Sequence, residues 1–287
     1  MGDLIREIDV GDLTRVSALL QEGFPNEPGY WPNVLSTLGS RDRPEGTEKY
    51  GYLLEVDGTP RGVILTIPSA HIFEGTPQVF INLSSWYVQG MYRKGRSRRL
   101  YASACQRSDV TYTNFSAAAH TIDAITESGF QLWTSGQMGA VVLKAPRRSS
   151  PRAKLLDLDE ARAEGLPEQD VSVLVDHEKL GCMAACLRTA DRLEPLIFHK
   201  ARVKGFLPAA ELVMCRDREV FSKYGRAVTA GLWRRGYALM IVDCSEPQQG
   251  FHGKYLPARR VRYFKGKRPN QFVDNSYSEL VLLPGLT

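Results

Sequence analysis

Gln78-Val79-Phe80-Ile81-Asn82-Leu83-Ser84-Ser85-Trp86-Tyr87-Val88 runs through a short break into Met91-Tyr92-Arg93-Lys94-Gly95-Arg96-Ser97-Arg98-Arg99-Leu100. The first stretch reads as a buried strand, and the second as an arginine-rich turn opening a helix. Amides at a helix N-terminus lack backbone partners, and guanidinium groups beside them complete a site for phosphate. A second strand, Val110-Thr111-Tyr112-Thr113-Asn114-Phe115, follows, and then a helix ending at Ser128-Gly129-Phe130 with Gly129 as a left-handed cap. The order is strand, phosphate turn, helix, strand, helix.

Upstream, Asp9-Val10-Gly11-Asp12 opens a helix whose apolar stripe is Leu13, Val16, Leu19 and Leu20, and Pro25 and Pro28 end it. An amphipathic segment over 31–38 and a hairpin around Asp57-Gly58 complete the approach to the central strand. Downstream, the helix after the turn presents Leu100, Tyr101, Ala104 and Cys105 on one face, and the next buries Ala118, Ile122 and Ile125. The second half echoes this grammar. Leu196-Ile197-Phe198 and 208–215 read as strands, 220–236 as a helix, 237–243 as a strand, and Tyr277 to Leu283 as a last strand. These elements suggest a tandem duplication whose second copy has lost the phosphate site, or else an unrelated α+β domain.

The 287 residues are 43% hydrophobic and 24% charged, which suits a soluble globular protein of two domains. The break is placed at Lys144-Ala145-Pro146-Arg147-Arg148-Ser149-Ser150-Pro151-Arg152, giving domains over 1–146 and 153–287. No apolar run approaches the roughly 18 residues of a membrane helix and residues 1–6 are no signal peptide, so a cytoplasmic address is expected. Five scattered cysteines read as reduced core thiols, with Cys182 and Cys186 one helical turn apart, and no metal site is predicted. The net charge is a modest +5, but basic residues cluster at 93–99, 147–152 and 259–268. The first cluster suits a phosphorylated ligand; the other two read as solvated loops, or as surfaces for RNA or an anionic membrane.

At residues 78–130 the sequence resembles the GNAT superfamily of acyl-CoA-dependent N-acyltransferases, and the order of elements extends the likeness over residues 4–145. In that family the turn reads Gln or Arg, two variable residues, Gly, one variable residue, then Gly or Ala. Here Gly95 and Ser97 stand at the small positions, Tyr92 stands three before Gly95, and Arg93 falls one residue late. The resemblance implies a mixed, mainly antiparallel twisted sheet flanked by helices, in two tandem GNAT-like domains of which the second is degenerate. It implies acetyl-CoA or a longer acyl-CoA as co-substrate and the amine of a small acceptor, such as an amino sugar or amino acid derivative. Val88, Arg93, Lys94, Gly95, Arg96, Ser97, Arg98 and Asn114 would hold the acyl-CoA, Asn114 having a helix cap as its alternative role. Backbone amides near Tyr87 and Val88 would face the developing oxyanion.

Many relatives carry a carboxylate base on the central strand, and a tyrosine acid commonly stands four residues before the final Gly-Phe pair. Residues 78–88 contain no Asp or Glu, and the tyrosine position is Ile125. Within reach are Asn82, Ser84, Ser85, Tyr101, Tyr112 and His120, of which Ser84 and His120 are the proton-transfer candidates. Two alternatives remain open. One is an aminoacyl transferase resembling the Fem family, with aminoacyl-tRNA as the nucleic-acid partner; the other is a non-catalytic GNAT-like binding module.

Overall fold

The computed structural model describes residues 2–73, 76–142 and 153–283, and the chain gathers into two compact units. Unit 1 holds the chain as far as Trp133, then Arg262–Arg268 and the segment from Ser278; unit 2 holds Thr134–Val261 and Pro269–Tyr277. The expected linker at 144–152 lies outside the described residues.

Unit 1 begins with β1 (Asp3–Glu7). Asp9 and Asp12 then close a reciprocal capping box on a single 3-10 turn, from which α1 (Leu13–Gly23) grows with Val16, Leu19 and Leu20 buried. Beyond the two prolines, α2 (Tyr30–Ser40) buries Trp31, Val34, Leu35 and Leu38. β2 (Gly51–Val56) and β3 (Thr59–Phe73) meet at Asp57-Gly58, whose φ angles of 50° and 73° make the left-handed turn that matches strand twist. There follow β4 (Thr76–Val88), α3 (Arg96–Ala104), β5 (Thr111–Asn114), α4 (Ile122–Glu127) and β6 (Gln131–Val141). Strands β1 to β4 pair antiparallel in sequence order, and β4 pairs parallel with β5, the direction that a helical crossover such as α3 permits.

The later elements are β7 (Lys154–Leu156), α5 (Leu158–Ala163), α6 (Glu168–Lys179), β8 (Met183–Arg188), β9 (Leu193–Val203), β10 (Leu207–Cys215), α7 (Arg218–Lys223), α8 (Gly225–Arg234), β11 (Leu239–Cys244), β12 (Gly253–Lys265), β13 (Val273–Asp274) and α9 (Glu279–Leu282). In unit 2 the strands β7 to β10 pair antiparallel in order and β10 pairs parallel with β11, the same scheme as in unit 1. The strand ahead of each parallel pair carries an extra residue: β4 between Ser84 and Tyr87, and β10 between Leu212 and Met214. The α+β, mainly antiparallel architecture anticipated from the sequence is present. A further relation was not legible: the last strand of each sheet comes from the other half of the chain. Tyr263–Lys265 of β12 pair antiparallel with β5 in unit 1, and Gly136–Val141 of β6 pair antiparallel with β11 in unit 2.

The two parallel pairs end differently. In unit 2, β10 and β11 stay together from Ala209 and Leu239 to Glu211 and Ile241; beyond, Met214 and Cys215 pair with Asp274 and Val273 of β13. Asn275 fastens this insert, its amide donating to Val213 O at 2.8 Å and its Nδ2 to Asp243 Oδ2 at 2.8 Å. The helix after β10 has no glycine-arginine turn either. Asp217 caps it, and its Oδ1 takes the amides of Glu219 and Val220 at 2.8 and 3.0 Å.

Several expectations are corrected. Residues 279–282 are a helix, not a strand: Ser278 is extended at φ −92° and ψ 178°, and its hydroxyl accepts the Leu280 amide. Cys182 and Cys186 are not a helical turn apart, because Cys186 lies within β8 and Cys182 just ahead of it. All five cysteines are free and buried, as expected of core thiols. Ala118 is exposed, whereas Ile125 is buried. The basic run at 259–268 is not a solvated loop. It lies largely in β12, where Arg262 is 1% exposed and donates to Phe115 O, and Lys265 donates to Cys105 O at 2.9 Å. Residues 147–152 lie outside the described residues. Among the described residues no helix is long and apolar enough to cross a membrane.

Candidate functional site

The site grows from the end of the parallel pair in unit 1. β4 and β5 are matched from Phe80 and Thr111 to Leu83 and Asn114, and beyond that point no further pairing joins them among the described residues. The extra residue of β4 falls here, with Ser85 at φ +51°, a left-handed conformation that turns the strand's course. The parting leaves a cavity of about 220 Å³, open to solvent on one side. Leu83 to Tyr87 form one wall, Asn114 and Ser116 to Ala118 the other, and Arg93, Tyr101 and His120 reach it from the neighbouring elements.

The walls are held by hydrogen bonds and rings. Asn114 Nδ2 donates to Tyr101 Oη at 3.2 Å, so Asn114 does not cap the following helix, whose flanking residues are Ala118 and Thr121. Burial pushes the Tyr101 phenol far above its ordinary range, and its ring lies 4.7 Å from that of Trp86. Tyr112 faces elsewhere. Its hydroxyl accepts the Arg107 amide at 3.0 Å, and burial raises its pKa to about 12.

At the mouth, Tyr87 Oη and Gln89 Nε2 each donate at 2.8 Å to Glu22 at the end of α1. The Gln89 and Tyr87 donors hold the Glu22 carboxyl below its usual range, whereas burial and Glu22 together raise the Tyr87 phenol. Gly23 is required by this contact, because a Cβ there would stand 2.4 Å from the Tyr87 ring.

The arginine turn faces outward. Met91, Arg93, Lys94, Gly95 and Arg98 are exposed, and Gly95 takes φ +71° just ahead of α3 with nothing within 4 Å of the place a Cβ would occupy. Arg93 Nε donates to Val88 O at 2.8 Å, which folds its side chain back along β4 toward the cavity. Arg96 and Arg98 have protein partners. Arg96 Nε lies 2.9 Å from Asp3 Oδ1, and Arg98 Nη1 lies 2.5 Å from Glu127 Oε2. The Ser97 amide is also engaged, donating to Arg93 O at 3.1 Å. Of the residues singled out in the sequence, Ser84, Tyr87, Arg93, Asn114 and His120 therefore converge on one cavity. Val88 is buried beside it, and Lys94, Gly95, Arg96, Ser97 and Arg98 lie along the turn outside it.

One residue escaped the sequence reading. Glu279, the first residue of α9, is 1% exposed. Its backbone amide donates to Asn82 Oδ1 at 2.9 Å, and Ser84 Oγ donates to its Oε2 at 2.5 Å. Ser84 Oγ also stands 3.2 Å from Ser85 Oγ, so a carboxyl sits directly behind the hydroxyls of the cavity wall. Leu280 anchors this placement among Phe115, Trp133 and Phe264. The available signal was Ser278 followed by an acidic residue, which is a helix N-terminus and a poor strand start.

The sequence matches no protein-family model and no curated protein. The structure is similar to a GCN5-related N-acetyltransferase from Anabaena variabilis ATCC 29413, with a TM-score of 0.58 at 10% identity over 91% of this chain and 72% of that one. It is also similar to a GCN5-related N-acetyltransferase from Kribbella flavida, with a TM-score of 0.57 at 9% identity over 91% and 70%. A protein from Pyrococcus horikoshii assigned as an acetyltransferase gives 0.52 at 12% identity over 96% of this chain and 94% of that one. The chain thus has the fold of the GCN5-related N-acetyltransferases over most of its length.

Proposed function

We propose that the protein is an acyl-CoA-dependent N-acyltransferase whose working site is the cleft of unit 1, with the amine of a small molecule as acceptor. The observation that carries this reading is the parting of β4 and β5 beyond Leu83 and Asn114, beside an exposed turn of backbone amides and basic side chains. The residues present fit a phosphorylated, thioester-bearing ligand. Gly95 leaves room for close approach of a phosphate to the backbone, and Arg93 and Lys94 add positive charge there. Arg96 and Arg98 contribute less to this site, because Asp3 and Glu127 already neutralise them.

The bound acyl-CoA supplies an activated carbonyl and a thiol of ordinary acidity as leaving group. The protein positions the amine and receives negative charge developing on the acyl oxygen, for which the amides near Tyr87 and Val88 are the donors we assign. The polar wall at Asn114 suits the amide-bearing arm of the ligand.

Thermal melting with acetyl-CoA and with longer acyl-CoAs tests this reading, since a ligand at about 100 times its Kd stabilises by about 2.7 kcal/mol. The expected result is a clear upward shift, reduced in Arg93→Ala and largely kept in Arg98→Ala. No shift with any thioester removes acyl-CoA from the account; salt-sensitive binding of aminoacyl-tRNA in its place selects the Fem-like alternative.

A further inference from the structure

We propose that Glu279 is the proton acceptor of the acyl transfer, acting through the Ser84 hydroxyl that links it to the cavity. This rests on the transferase reading above and names the group that β4 itself does not provide. The geometry has three parts. The carboxyl is buried and already receives Ser84 Oγ at 2.5 Å, while Ser84 and Ser85 both line the cavity. Among the described residues, Glu279 Oε1 has no partner of hydrogen-bond geometry. The helix that carries Glu279 is fixed at its start by Asn82, a residue of the same strand.

The groups facing the carboxyl are Tyr30 from α2, Tyr101 from α3 and Arg262 from β12. Tyr30 Oη is also buried and has no hydrogen-bond partner among the described residues. Burial raises the Glu279 pKa, and the Ser84 and Ser116 hydroxyls, Arg262 and the Phe115 backbone oppose that rise. A carboxyl so placed is a stronger base than one in water, which is what proton removal from an amine requires.

The step balances as follows. As the amine nitrogen bonds to the acyl carbon, its proton moves to Ser84 Oγ, directly or by way of Ser85, while the Ser84 proton passes to Glu279 Oε2. The carbon–sulfur bond breaks, the thiolate leaves and takes a proton from solvent, and Glu279 returns its own proton to solvent.

The test measures thiol release from acetyl-CoA with a panel of amines that includes a hydrazide, which is neutral across the pH range assayed, so that any acidic limb belongs to the protein. Glu279→Gln should lower kcat by about 100-fold and remove that limb, with the KM for acetyl-CoA and the acyl-CoA melting shift kept. Ser84→Ala should reproduce the loss and Ser84→Thr restore part of it, which a merely structural role for the pair does not predict. Glu279→Gln with kcat within about threefold of the parent and an unchanged limb overturns the relay, as does full activity in Ser84→Ala should Glu279→Gln fail to fold. No turnover of any amine despite a firm acyl-CoA shift removes the transferase reading and the relay together, whereas turnover that survives both substitutions removes the relay alone.

Discussion

Ser85 concentrates the local cost of the site. It is held at φ +51° within β4, where non-glycine residues lose about 1–2 kcal/mol relative to ordinary strand geometry. Replacement by Val, whose branched Cβ tolerates this region worst, is expected to lower stability by about 2 kcal/mol, and replacement by Gly to change it by less than about 1 kcal/mol. Urea unfolding of the two variants measures both, and equal stability of Val and Gly variants excludes strain as the reason. The serine could be named from the sequence but its bend could not, because a bulge is set by the partner strand's register and leaves no periodicity of its own. The arginines show the same limit. Their clustering at 93–99 announced an anion site, yet Asp3 lies some ninety residues upstream of Arg96 in the chain, and only folding brings the two together.

Among the elements, the start of α1 offers the clearest pH dependence. Asp12 is 2% exposed; Arg6 donates to its two oxygens at 2.6 and 2.9 Å, and it also accepts the Asp9 amide at 2.9 Å. The Arg6 guanidinium, aided by the Asp9 amide and Arg15, holds this carboxyl well below the usual carboxylate range. A depressed folded-state pKa contributes stability that is complete above the unfolded value of about 3.9 and is lost as the pH falls through the folded value. Asp12→Asn should therefore cost about 2 kcal/mol near neutrality, with the gap to the parent closing in strongly acidic solution. A gap that stays constant with pH shows the charge to be irrelevant. Elements with strong local signals were legible: the α1 stripe, the Asp57-Gly58 hairpin, β4 and the helix after it. The helix α9 was misread because four residues, Glu-Leu-Val-Leu, carry too little periodicity to separate strand from helix, and the capping serine alone decides.

For the whole molecule, the structure repeats the sheet scheme in both units, but the two units differ at the end of the parallel pair. β13 pairs with β10 in unit 2 at the place where, among the described residues, β4 and β5 of unit 1 no longer pair beyond Leu83 and Asn114, and Asp217 engages the helix amides that a phosphate would need. Calorimetric titration with acetyl-CoA is expected to give one site per chain; a stoichiometry of two would mean that β13 yields. That insert was not foreseen because Val273-Asp274 is a two-residue strand, defined only by the partner it joins. The exchange of final strands has a consequence for synthesis. While the ribosome has released only the first half of the chain, β5 presents an unpaired edge, because residues 263–265 have not yet been translated. Glu279 and Leu280 emerge later still, so the nascent protein stays without its cleft carboxyl until almost all of this sequence has been made. Slow translation of the second half should accordingly favour capture of the first by chaperones, or its aggregation, over early native folding.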